Sequence, residues 1–325
     1  IKVVNAYDIL KDTGFVDSYM HYKFFKKSWN YIRIIRTYWS LFLMLRRRKY
    51  DALIYLKRFA SMKKIVFIRD ISFFRLAGIR SVYGLPTKEN LQCANMNNSV
   101  YQYPHQTDLL LARLSASGIQ IPAKKDVDPK LPISMEDKKC IDIWVSSQTN
   151  NDANNGYWIA VGPGTKKPVN QWPIDRYVAV LNKLIQNYDV WPVVFGGPED
   201  QQTGMHIISS LFRGYNTAGI FSIPQSIAAM QKCLFYLGND TGTMHMAVAA
   251  GIPCVAIFSA HNYPGAWEPY GDGHIVLRKQ IDCEFCRLKE CPERKNECIM
   301  SISIDEVYVA ASQMLSNCLQ ICHLR

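Results

Sequence analysis

Long apolar runs are missing from this chain of 325 residues. A bilayer-crossing helix needs roughly 20 consecutive apolar residues. The best candidate, Tyr38–Leu45, is interrupted by Ser40 and closed by Arg46-Arg47-Arg48-Lys49, which excludes an integral membrane helix. A secretory signal is missing too, although the chain opens at Ile1 with no segment before it to inspect. The ten cysteines are therefore read as reduced thiols, not as a disulfide framework. No repeat of solenoid length occurs. There is no Walker loop, and no Asp-x-Asp metal motif enters the reading.

Apolar residues make up 48% of the chain, enough for two cores, and its length suits two domains of roughly 100–200 residues each. The formal charge of +11 is uneven. Between Lys23 and Arg80 the basic residues include Lys26, Lys27, Arg33, Arg36, Arg46, Arg47, Arg48, Lys49, Lys57, Arg58, Lys63, Lys64, Arg69 and Arg75, against only Asp51 and Asp70. That end should seek anions. A helix from about Trp29 to Arg48 carries much of the charge, and three readings are open for it. It is a solvated face, a membrane-surface contact favoured by Trp29, Trp39 and Phe42, or a nucleic-acid surface without a recognition motif.

From Trp158 strands and helices alternate: strand 158–161, helix 174–187, strand 191–195, helix 200–212, a short strand near Gly219-Ile220-Phe221, helix 224–231, strand 234–237, helix 243–250 and strand 254–258. Such alternation predicts a parallel sheet covered by helices on both faces. Before it, Ile1–Val4 reads as a strand, Ala52–Leu56 as another, Ile71–Leu76 as a helix and His105–Ser117 as an amphipathic helix. A strand is expected at Ile141–Val145 before Ser146–Gly156, the best linker, giving domains 1–150 and 151–325.

The densest chemistry lies at Tyr236–Phe258. Asn239 and Asp240 are capping residue types, Thr241-Gly242 allows close backbone approach, and a helix starting near Thr243 points its free amides and positive dipole outward. That is a place for a phosphate. The same residues also fit an ordinary strand-helix junction, with His245 a packed helix residue. Gly162-Pro163-Gly164-Thr165-Lys166-Lys167 ends another strand, either as a ligand loop or as a tight turn with two solvated lysines. Glu199, after Gly196-Gly197-Pro198, could accept two hydrogen bonds from a ribose diol or simply face a helix dipole. Cys283, Cys286, Cys291 and Cys298 are close enough in sequence to surround one zinc ion; free or redox-active thiols are the alternative.

The segment Asp240-Thr241-Gly242-x-x-His245-x-Ala247-x-Ala249-x-Gly251-x-Pro253, together with Phe258, Trp267-Glu268-Pro269-Tyr270-Gly271, the 162–166 loop with Trp172-Pro173, and Gly196–Glu199, resembles glycosyltransferase family 9, the heptosyltransferase-like enzymes of lipopolysaccharide core assembly. The resemblance covers nearly all of 155–315 and, more loosely, Tyr50–Gly84. It implies an α/β fold of the GT-B type, two facing Rossmann-like domains with parallel sheets, the N-terminal one incomplete. It implies an inverting, metal-independent transferase that moves a heptose or related sugar from an ADP-sugar to a lipid-linked core oligosaccharide. Such an enzyme works in the cytoplasm, peripheral to the inner face of an anionic membrane, with no nucleic acid as partner and no cofactor beyond a possible structural zinc.

By the same resemblance Thr165, Glu199, Asp240, Thr241, Gly242 and His245 are donor-binding residues, and Phe221 lines the adenine pocket or is plain core. His105 matches a family histidine and equally suits a helix cap. The family usually has a lysine two before the tryptophan; here Asn170 stands there, so Lys166 or Lys167 supplies the charge or donor handling differs. The family's general base lies in a Leu-Gly-Asp turn expected before Ile1, which leaves the catalytic residue unknown and the chain as given inactive alone. Two other classes remain in view: a non-catalytic nucleotide-sugar binding protein, and a cysteine-metal interaction module on a basic domain.

Overall fold

The computed structural model describes residues 6–19, 31–56, 64–86, 103–149 and 156–323. The expected strand at Ile1–Val4, Trp29 of the basic helix and residues 150–155 of the expected linker lie outside the described residues. The chain divides into two compact units, one of Met20–Val127 and one of Ile1–Tyr19 with Asp128–Arg325.

In the Met20–Val127 unit, helix α1 (Tyr31–Arg48) leads to strand β1 (Ala52–Ile54), helix α2 (Lys64–Leu76), strand β2 (Ser81–Tyr83) and helix α3 (Gln106–Ala116). The strands pair in parallel, Leu53 opposite Val82. Leu45 from α1 packs with Ala77 and Ile79, and Leu41, Phe42, Met44, Leu53, Phe73 and Phe74 close around them. Arg113 is buried in α3 and spends its guanidinium on two strand ends, donating from Nε to Gly84 O at 2.8 Å and from Nη2 to Tyr55 O at 2.7 Å. His105 caps α3, its Nδ1 accepting from Thr107 N at 3.1 Å, so the capping alternative is the contact observed.

In the larger unit, helix α4 (Met135–Thr149) stands where a strand was expected at Ile141–Val145. Ser134 Oγ accepts from Asp137 N, which starts the helix, and Ile141, Trp144 and Val145 then recur at helical spacing. Ile141 is fully buried while Ile143 is 62% exposed. The short apolar run read as a strand is thus one stripe of a helix. Trp144 sets its ring edge-on to Trp158, Tyr215 and Phe221, and the compact unit that holds them takes in Asp128–Arg325.

Six parallel strands follow: β3 (Tyr157–Gly162), β4 (Val190–Val194), β5 (Tyr215–Asn216), β6 (Tyr236–Asn239), β7 (Cys254–Phe258) and β8 (Ile275–Arg278), in the order β5-β4-β3-β6-β7-β8. The short strand sought at Gly219–Phe221 is β5, a few residues earlier; Gly219 adopts φ +74 in the turn behind it. Helices α5 (Ile174–Asn187), α6 (Gln201–Leu211), α7 (Ile223–Met230), α8 (Gly242–Ala250) and α9 (Ile304–His323) connect or cover the sheet. β3 to β8 and α5 to α9 make this unit α/β with a parallel sheet, as the alternation predicted. The core runs from Ile159, Val161 and Leu237 through Trp172, Tyr177 and Leu181 to Val307, Ala311 and Leu315 of α9.

The strand order reverses beside β3. The chain first steps outward to β4 and β5, then returns to the other side for β6, β7 and β8. The loops after β3 and β6 therefore diverge and leave a crevice at the carboxyl end of the sheet, where open α/β sheets take ligands.

Candidate functional site

Asn239, the last residue of β6, ties that crevice together from beneath. It is fully buried, accepts from Tyr177 Oη at 2.9 Å and from Trp172 N at 3.3 Å, and donates to Pro163 O at 2.6 Å. One amide thus joins β6, the loop after β3 and helix α5. Tyr236 fills the space behind the glycines. A Cβ on Gly162 would fall 2.1 Å from its Oη, and one on Gly238 would fall 2.2 Å from the same atom. These glycines make room for a tyrosine, and its Oη lies 2.9 Å from Thr243 Oγ1 at the start of α8.

Helix α8 starts at Thr241, which takes the N-cap position with no side-chain capping bond, so Asp240 is not the cap its residue type suggested. Met244 N donates to Thr241 O at 3.1 Å, while the Gly242 and Thr243 amides ahead of it have no carbonyl four residues back in the helix, and the dipole puts partial positive charge at this end. A Cβ on Gly242 would meet nothing within 4 Å, so the space beside the helix start is open.

Asp240 faces Asn170 instead of its own helix. Asn170 Nδ2 donates to Asp240 Oδ2 at 3.1 Å and to Asp240 O at 3.3 Å, while Ser259 Oγ donates to Asn170 Oδ1 at 2.6 Å. Asn170 is 2% exposed and has both ends of its amide in use. Burial pushes the Asp240 carboxyl up to about 6; Lys167 and hydrogen bonds from Asn170 and Asn262 hold it from going further. Asp240 therefore titrates just below neutrality.

The loop after β3 is stiffened from within. Thr165 Oγ1 accepts from Lys167 N at 3.2 Å, and Gln171 Nε2 donates to Pro163 O at 2.8 Å. Beneath it lies Asp200, whose Oδ1 would sit 2.1 Å from a Cβ on Gly164 and whose Oδ2 accepts from Gly197 N at 2.9 Å. Asp200 thus braces its own loop after β4 and packs closely against Gly164 of the loop after β3. Lys166 is exposed and steadies the Asp200 carboxylate, whereas Lys167 is half-buried and its Nζ lies 3.4 Å from His261 Nε2.

Glu199 is exposed at the end of the β4 loop, and Gly219 N donates to Gly196 O at 3.0 Å, which brings the loop carrying Phe221 alongside. Phe221 itself packs edge-on to Trp144, ring centroids 5.2 Å apart. His245 is exposed in the first turn of α8 with its ring centroid 6.5 Å from that of Trp267. The structure thus joins Thr165, Asn170, Asp240, Thr241 and Gly242 around the crevice and sets Glu199 and Phe221 together on the β4 and β5 side. Asp200, Ser259, His261 and Asn262 escaped the sequence reading, and Asn239, read there as a capping type, is instead the buried hub. The available signal was a polar residue at the carboxyl end of an apolar strand.

The four tail cysteines do not assemble around an ion. Among the described residues no three or more His, Cys, Asp or Glu side chains are placed to hold a metal. Cys298 is buried, with its sulfur against the Ala260 amide and within electrostatic reach of Cys283 and Cys286, while Cys283 takes a hydrogen bond from Arg294 and Cys286 is exposed. All four are free thiols. The one Asp-x-Asp triplet, Asp126-Val127-Asp128, lies outside the crevice unit's sheet with both carboxylates exposed, and Asp128 Oδ1 accepts from Lys130 N at 3.0 Å. No helix among the described residues is long and apolar enough to cross a membrane.

The chain is 30% identical over 198 residues to lipopolysaccharide heptosyltransferase 2 of Salmonella typhimurium, a match covering 58% of this chain and 54% of that protein. It spans about half the length of the curated relatives it matches. Its fold is like that of the glycosyl transferase family 9 protein from Veillonella parvula, with a TM-score of 0.65 at 20% identity, covering 87% of this chain and 80% of that one. It is also like the E. coli heptosyltransferase WaaC solved with ADP-2-deoxy-2-fluoro heptose, with a TM-score of 0.56 at 13% identity, covering 86% and 78%. Residues 38–297 match the family Glycosyltransferase family 9 (heptosyltransferase), and the chain belongs to that family.

Proposed function

We propose that this chain serves the transfer of a heptose or related sugar from an ADP-sugar to a lipopolysaccharide-core acceptor, with inversion and without a metal ion. The observation that carries this reading is the Asp240 carboxylate at the strand-order reversal, flanked by the open N-terminus of α8 and by Lys167. Asp240 accepts from sugar hydroxyls and so orients the anomeric carbon. Thr165, the Thr241-Gly242 amides and Lys167 take the diphosphate, Glu199 takes the ribose diol, and Phe221 lines the base-binding side. His245 reaches the same space from the first turn of α8.

As the bond to the sugar breaks, negative charge gathers on the departing diphosphate. Fixed dipoles and a held ammonium stabilise that state more than the ground state, because they need not reorganise when the charge appears. This is the task a divalent cation performs in metal-dependent transferases. The ADP-sugar bound to the WaaC neighbour fits the same reading.

The acceptor is lipid-linked, and α1 suits an anionic membrane surface at the cytoplasmic side. Ile32, Ile35 and Trp39 are 69%, 66% and 60% exposed along one helical stripe, continued by Leu43. Arg36, Arg46 and Arg47 are exposed around that stripe, which suits lipid headgroups and disfavours cover by an apolar protein layer. Calorimetry of the chain with ADP and with an ADP-sugar tests the donor assignment. Both should bind, the ADP-sugar more tightly; failure of both to bind overturns it.

A further inference from the structure

Lys166 and Lys167 are neighbours in sequence with separate surroundings. Lys166 is exposed and its charge acts on Asp200 at the β4 side. Lys167 is half-buried and its charge acts on Asp240 and His261. Strands β3 and β7, which feed the Lys167 and His261 loops, are not adjacent, because β6 lies between them. Strands stand about 4.8 Å apart, so the two loops leave the sheet roughly 10 Å from each other. A contact of 3.4 Å between Lys167 Nζ and His261 Nε2 therefore spans the end of β6, where Asp240 and the start of α8 are.

His261 is 3% exposed, and its backbone is fixed by Arg287 N donating to His261 O at 3.1 Å. Burial, and next the charge of Lys167, push its imidazole down to about 4, so the ring is neutral at physiological pH. A neutral ring facing an ammonium offers the Nε2 lone pair and carries its proton on Nδ1. That Nδ1 has no hydrogen-bond partner among the described residues. A carboxylate in this position would neutralise Lys167, and an aliphatic side chain would leave it free to swing into solvent. A neutral imidazole holds the ammonium and leaves its charge available.

We propose that His261 is a positioning residue that holds the Lys167 ammonium across the mouth of the crevice, making Lys167 and not Lys166 the cation that meets the diphosphate of the ligand. The inference rests on the reading of the crevice as a nucleotide-sugar donor site. It assigns a role to a histidine that touches the ligand only through the lysine.

Calorimetry of the 325-residue chain with ADP, and with adenosine as the phosphate-free probe, tests it. Lys167→Ala should weaken ADP by about tenfold or more, the size expected for a lost charge-assisted hydrogen bond, and leave adenosine unaffected. Lys166→Ala should cost ADP distinctly less. His261→Gln keeps an acceptor for the ammonium and should stay within about threefold, whereas His261→Leu should approach the loss of Lys167→Ala. If His261→Leu does not fold by thermal denaturation, His261→Glu serves in its place: it keeps the contact, removes the net charge, and should weaken ADP as Lys167→Ala does. An unmodified chain that binds ADP and a Lys167→Ala variant that binds it equally well would overturn this inference and leave the donor site standing. An unmodified chain that binds no ADP would overturn the donor site itself. Equal ADP affinity in His261→Leu or His261→Glu and the unmodified chain would remove His261 from the argument.

Discussion

Asn170 holds Asp240 by both its carboxylate and its main-chain carbonyl, at 3.1 and 3.3 Å from a single side-chain nitrogen. The two residues are 70 apart in sequence and belong to the loops on either side of the crevice. With Ser259 donating to the other end of the same amide, loops from β3, β6 and β7 meet at Asn170. This arrangement orients the carboxylate before any ligand arrives, which is where preorganisation gains affinity.

Asp240→Ala should weaken an ADP-sugar far more than ADP, because Asp240 is assigned to sugar hydroxyls and not to phosphate. A loss of tenfold or more for the ADP-sugar is the order expected for hydrogen bonds to a charged group. Calorimetry with both ligands checks this, and equal losses would remove Asp240 from the sugar subsite.

The Asp240 carboxyl, raised to about 6, links the site to pH. Its folded value lies above the unfolded one, so its contribution to stability is fully present below about pH 3.9 and is lost as pH rises through about 6. Asp240→Asn should therefore raise the melting temperature at pH 7–8, with the gain fading toward pH 4. Ligand affinity runs the other way: ADP-sugar binding should fall as pH drops through about 6 and the carboxylate is protonated. A flat melting difference between pH 4 and 8 would contradict the assignment.

Tyr177→Phe removes the hydroxyl that donates to buried Asn239 and leaves Oδ1 with only the weaker bond from Trp172 N. The expected cost is about 1–3 kcal/mol in urea unfolding. Donor affinity should fall as well, since Asn239 also anchors the Pro163 carbonyl of the ligand loop. A variant as stable as the parent would mean that the hydroxyl is not part of the hub.

Thiol chemistry should separate the tail cysteines. Cys286 is exposed and should label with a maleimide early, together with Cys140. Cys298 is buried and its thiol is raised chiefly by burial, so it should label late, with Cys233 and Cys254. Protection of all four tail cysteines, lifted together by a chelator, would show a metal site after all.

The α1 stripe should bind vesicles containing anionic lipid in a salt-sensitive way. Trp39→Glu should abolish sedimentation with phosphatidylglycerol vesicles, and neutral vesicles should bind weakly. Equal binding to both kinds of vesicle would argue against the role given to Arg36, Arg46 and Arg47.

What the sequence determined by itself was local: the strand-helix rhythm from Trp158 on, the helix beginning after Asp240-Thr241, and the glycine turns at strand ends. Periodicity and capping act within a few residues, so they can be read directly. The same localness misled at Ile141–Val145, where only burial against Trp158 and Tyr215 tells a helix face from a strand. It also passed over β8 and α9, whose places come from pairing with Val255–Phe258 and packing on α5. Close sequence spacing suggested that Cys283, Cys286, Cys291 and Cys298 share one ion, yet among the described residues no three or more ligand side chains are placed to hold one. Tertiary structure alone decided which lysine faces Asp240 and what steadies it. Lys167 and His261 are 94 residues apart, and they meet because the sheet places β6 between β3 and β7. Strand order follows from non-local hydrogen bonding and core packing, and no local pattern encodes the choice between two adjacent lysines.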